Sequence, residues 1–201
     1  METNVTTIAE SVQQYNELKN ALSSDTTKEL YSIAIDSAKP GTYFNNGTYL
    51  HALLLTSLML ERTQKHIKIF AGEFFSEFYS HLKDDFQKVI ERITSKNIQI
   101  IITKKIDDIS RKAQELSQLE SKYNELKEIG IPIRFCFSYK HLPHFYLIDD
   151  YMLRIEDAHE PRNLDSLSDS VNAKVFFNSP YLNKTRQDDF DRIWEKLATR
   201  D

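Results

Sequence analysis

Glycine occurs only four times in this 201-residue chain, which leaves no glycine-rich loop to cradle a phosphate. No Gly-x-Ser-x-Gly segment is present, so a serine nucleophile on a strained elbow is excluded. Cysteine occurs once; no internal disulfide can form, and Cys136, inside the apolar run IRFCFSY, is expected to be a small buried core residue in a reducing compartment. Charge of one sign is not in excess: the formal net charge is −4, which gives the whole molecule no general attraction to nucleic acid or to an anionic membrane. Long apolar runs are missing too. The most apolar window, Leu50–Leu60, falls far short of the roughly 20 residues a membrane span requires. The N-terminal METNVTTIAESVQQ has no basic stretch leading into an apolar one, so a secretory signal is not expected and a cytoplasmic location is.

What is present suits one large globular unit, with 40% hydrophobic and 28% charged residues. Ile8, Val12, Tyr15, Leu18 and Leu22 recur at helical spacing, and Thr26–Ala38 continues as a second helix ended by Lys39-Pro40-Gly41. Residues 1–40 therefore read as an N-terminal helical extension, and 41–201 as the main domain. Asn46-Gly47-Thr48 is expected to cap an apolar helix, Tyr49–Gln64. After it come a strand (His66–Ala71), a helix (Ser76–Ser95), a strand (Ile98–Thr103), a helix (Ile109–Ile129) and a strand (Ile131–Ser138). Strands alternating with helices imply parallel pairing. Phe145–Ile148 and Met152–Glu156 lie too close together for a helical crossover, and so form an antiparallel hairpin. A polar loop (Asp157–Asn172), a strand (Lys174–Phe177) and an amphipathic helix from Pro180 complete the chain.

This order, together with the run Ile133–Ser138, the stretch PHFYLID, the segment AKVFFNSP and the pair Phe190 and Trp194 spaced by four, resembles one copy of the phospholipase D superfamily fold. The resemblance covers about residues 43–198 and implies an α/β, phospholipase D-like mixed sheet flanked by helices. It also implies a catalytic H-x-K-x-x-x-x-D motif, in which one histidine attacks phosphorus while a second, from another copy, protonates the leaving group. Aligned on Asp149, this chain has Leu142 at the histidine position and His144 at the lysine position. No register restores all three residues. The family's Gly-Ser-x-Asn segment is replaced by Arg154-Ile155-Glu156, whose long side chains would fill the space a phosphate needs.

Hairpin geometry decides which side chains share a face. A two-residue turn at Asp150-Tyr151 lacks the Gly or Asn that tight hairpins prefer. A three-residue loop, Asp150–Met152, pairs Asp149 with Leu153 and puts His144, Tyr146, Arg154 and Glu156 on one face. His144, Tyr146, Asp149, Arg154, Glu156 and Glu73 are thus the candidate ligand-binding residues. His144, Arg154 and Glu156 are the candidates for any altered catalysis, and the competing reading is a structural salt-bridge network. His141, His144, Asp149 and His159 lack the short spacing of zinc ligands, so neither a metal nor another cofactor is expected. Lys65, Lys68, Lys104, Lys105, Arg111 and Lys112 are the densest basic grouping and could meet a nucleic-acid backbone if they converged. Lys112–Lys127 reads as an amphipathic surface helix with Leu116, Leu119, Tyr123 and Leu126 on its buried side.

The expectation from sequence is a binding, regulatory or dimerisation module without the family's catalysis. The alternative is a phosphodiesterase or nuclease with a rearranged site using His144. Single-copy members of the family pair two chains, which implies a homodimer; a protein partner and a phosphodiester or nucleic-acid ligand are the other candidates.

Overall fold

The computed structural model describes residues 25–72, 75–159 and 170–199. The expected helix Ile8–Leu22 and part of the polar loop after Asp157 lie outside them. Helix α1 (Asp25–Asp36), strand β1 (Tyr43–Thr48), helix α2 (Tyr49–Arg62), strand β2 (Ile67–Gly72), helix α3 (Phe75–Ile93) and strand β3 (Ile98–Lys105) come first. Helices α4 (Lys112–Lys122) and α5 (Asn124–Glu128) follow, then strands β4 (Ile133–Ser138), β5 (His144–Ile148), β6 (Met152–Glu156) and β7 (Ser170–Phe176), and helix α6 (Pro180–Ala198).

The seven strands form one sheet in the order β1-β7-β6-β5-β2-β3-β4. β2, β3 and β4 run parallel, as their helical connections require, and β5, β6, β7 and β1 complete the sheet by antiparallel pairing. β2 and β3 are interior strands, and their near-continuous apolar sequences IKIFAG and IQIII reflect burial on both faces. On one face Ile69, Ile100, Ile102, Tyr146, Met152 and Val175 join the apolar sides of α2 and α3 in the main core. On the other, Phe70, Ile101, Phe145, Leu147, Leu153 and Phe176 meet Phe190 of α6. Fully burying a phenylalanine contributes about 2–3 kcal/mol, and Phe190 is 0% exposed. Trp194, one turn on, stacks on Phe190 at 5.7 Å and lies under the Arg134 guanidinium of β4 at 4.0 Å.

Several expected boundaries move for local reasons. Asn46-Gly47 is not a helix-leading loop but part of β1, whose register with β7 slips between Asn46 and Thr48; Thr48 alone is the N-cap of α2, its hydroxyl accepting from His51 N at 3.2 Å. The single helix expected over Ile109–Ile129 is broken. It opens with a 3-10 turn at Ile109–Arg111, and Tyr123, buried at φ −106° and ψ 15°, leaves helical geometry between α4 and α5. Leu119, Tyr123 and Leu126 are buried as the spacing predicted, and Leu116 is half-buried. Cys136 is half-buried rather than buried, because β4 is an edge strand.

Candidate functional site

The turn of the β5–β6 hairpin is Asp149–Tyr151, with Ile148 opposite Met152. It is a three-residue loop one position earlier than the sequence suggested, and the parity is unchanged. His144 faces Glu156 and Tyr146 faces Arg154, so all four side chains stand on the α2–α3 face of the sheet. There they line a cavity of about 70 Å³ together with Tyr49, Phe75 and Phe78.

Arg154 is 3% exposed. Its Nη2 donates to Glu156 Oε2 at 2.9 Å, and its guanidinium lies 5.0 Å from the Tyr146 ring and 5.9 Å from that of Phe78. Its Nε is buried without a hydrogen-bond partner. The other oxygen of Glu156, Oε1, lies 3.2 Å from His159 Nε2. Burial acts to raise the Glu156 carboxyl, but hydrogen bonds from His159 and Arg154, and their charges, override it and bring it down to about 2. Burial pushes the Tyr146 phenol up to about 12. The rings of His144 and His159 meet edge-on at 5.0 Å, and one ligand atom from each of His144, Glu156 and His159 lies within 4.8 Å of the others.

Sequence spacing paired His159 with His144 only as a rejected metal set and not with Glu156, and it did not assign Gly72, Tyr49, Phe75 or Phe78 to this cluster. The signal for His159 was its position three residues after Glu156 at the end of a strand. Gly72 makes room for the imidazole: a Cβ there would stand 3.0 Å from His144 Nε2, so any other residue would have the His144 ring give by a few tenths of an ångström.

Asp149 does not join them. Its carboxylate accepts backbone N–H bonds from Gln64, Lys65 and His66 at the opposite end of β5, which sets it apart from the cluster of His144, Tyr146, Arg154 and Glu156. Glu73 lies outside the described residues. Leu142, which the sequence resemblance aligned with a nucleophile, packs against the apolar cluster on the α6 face.

The basic grouping does not converge. Lys65 and Lys68 belong to the start of β2, whereas Lys104 and Lys105 end β3, which runs parallel to it. Lys65 pairs with Asp150, Lys68 with Asp191, Lys104 and Arg111 with Glu115, and Lys105 with Asp107. Lys112 lies over the Phe137 ring.

A mixed sheet with helices on both faces makes the fold α/β, and its architecture is phospholipase D-like by comparison with a solved structure. Its architecture is similar to that of Nuc, a phospholipase D family member from Salmonella typhimurium, with a TM-score of 0.50 and 13% identity over 77% of this chain and 94% of that one. TrmBL2, an archaeal chromatin protein whose structure shows a novel mode of DNA binding, matches with a TM-score of 0.49 and 15% identity over 94% of this chain. This chain spans 65% of the TrmBL2 chain. No protein-family model and no curated protein sequence matches. Among the described residues, no helix is long and apolar enough to cross a membrane.

Proposed function

We propose that this protein is a phospholipase D-like module that binds a ligand or partner without hydrolysing a phosphodiester. The observation that carries the reading is the position of Leu142: the side chain in the nucleophile's frame lies in an apolar cluster on the α6 face, away from the polar cavity. Inside the cavity Arg154 and His159 are both engaged by Glu156, and an anionic carboxylate there opposes a phosphodiester. Pairing of two chains belongs to the same reading. The edge strand β4 carries half-exposed Phe135, Cys136 and Phe137, and sedimentation at micromolar concentration is expected to give the mass of two chains; the mass of one chain would sink this part.

A second reading, a phosphodiesterase using His144, has one observation in its favour. His144 and His159 stand 5.0 Å apart in a single chain, with Arg154 beside them to stabilise charge on phosphorus. One experiment separates the two. Purified protein and His144→Ala are incubated with bis(p-nitrophenyl) phosphate and with DNA, with and without chelator. The module reading expects no turnover above blank from either protein. Turnover that His144→Ala abolishes would establish the second.

A further inference from the structure

Two imidazoles and a carboxylate, brought together from β5, β6 and the segment after β6, are a donor set suited to borderline metal ions. Bonds of about 2.0–2.1 Å to zinc put tetrahedral neighbours about 3.3 Å apart. Glu156 Oε1 and His159 Nε2 are already at 3.2 Å, and the ligand atom of His144 has to close in from no more than 4.8 Å.

The surroundings support ligation. Arg154 holds Oε2 of Glu156 at 2.9 Å and so turns Oε1 toward the histidines, the kind of outer hydrogen bond that ligating carboxylates receive. Gly72 keeps side-chain atoms out of the space against His144. The adjoining cavity of about 70 Å³ has room for water as a remaining ligand. The Arg154 charge offsets that of Glu156, so little net negative charge is left to draw in hard, oxygen-seeking cations, and the two imidazoles decide the preference.

We propose that His144, Glu156 and His159 form a binding site for one divalent transition-metal ion, zinc fitting best, with a coordination position open to the cavity. This goes beyond the module reading and requires no turnover. The test uses the full chain, stripped with chelator and titrated with Zn²⁺ and Co²⁺. One Zn²⁺ per chain is expected, and Co²⁺ should give the visible absorption of a tetrahedral site. His159→Ala and His144→Ala should each weaken binding by about tenfold or more, while His141→Ala leaves it unchanged. Thermal melting without metal checks that the variants fold. Should a variant fail to fold, the imidazole nitrogen resonances of the unsubstituted protein provide the readout: those of His144 and His159 should move on Zn²⁺ addition while those of His66 stay. Absence of saturable binding, binding unaffected by both variants, or unmoved His144 and His159 resonances would leave only a hydrogen-bonded ion pair and overturn the proposal.

Discussion

At Asp149 three consecutive backbone N–H groups, those of Gln64, Lys65 and His66, converge on one carboxylate, in a residue that itself sits at φ 50°. The carboxylate ties the start of β2 to the hairpin turn. Asp149→Ala orphans these donors in a part-buried setting and is expected to lower unfolding free energy by about 3 kcal/mol, read by urea denaturation. Asp149→Asn, which keeps one acceptor oxygen and tolerates a left-handed backbone, should lose roughly half as much. Glu156 gives a different signature. Its carboxyl is held down to about 2 from an ordinary 4.5, so on acidification the unfolded chain takes up the proton first. The stability it contributes is complete above pH 4.5 and is lost as pH falls from there toward 2. Urea midpoints at pH 5, 4 and 3 should therefore show the gap between the parent and Glu156→Gln narrowing as pH falls; a gap independent of pH would contradict this. At this scale the sequence was legible where period two applied: the parity of His144, Tyr146, Arg154 and Glu156 follows from alternation along strands. Asp149 was not, because a carboxylate's partners in a turn are set by the distant Gln64–His66 backbone.

Among the elements, β2 to β6 announce themselves by β-branched and aromatic runs. β1 does not, since Tyr43–Thr48 contains Asn-Asn-Gly, which reads as a turn, and it becomes a strand only by pairing with β7. That pairing turns Asn46 inward. It is 1% exposed, and both ends of its amide are buried without a hydrogen-bond partner. An apolar side chain of the same branching removes the desolvation cost. Asn46→Leu is accordingly expected to stabilise the fold by about 1 kcal/mol in urea titration, and a loss of stability would mean that the amide is satisfied in solution. The break at Tyr123 was hidden for a related reason: amphipathic spacing runs unbroken through Lys112–Lys127, while Tyr123, buried in the core, leaves helical geometry.

For the molecule as a whole, the sheet is a partition between two apolar cores, with the polar cavity on the α2–α3 side and Leu142 on the α6 side. Leu142→His therefore places an imidazole among apolar groups rather than in the cavity. It is expected to cost about 1–3 kcal/mol and to produce no phosphodiesterase activity, measured on the same chromogenic diester. The overall architecture was legible because element order and hairpin spacing constrain topology strongly. The location of Leu142 was not, because the motif frame counts positions along the chain and is blind to which side of the sheet a residue outside the strand will enter.

This partition also sets what redesign can reach from one end of β5. A group grafted at Leu142 enters the α6 compartment, whereas His144 and Tyr146, a few residues on, open onto the cavity. The choice of position therefore selects the compartment, and each can be altered without touching the other.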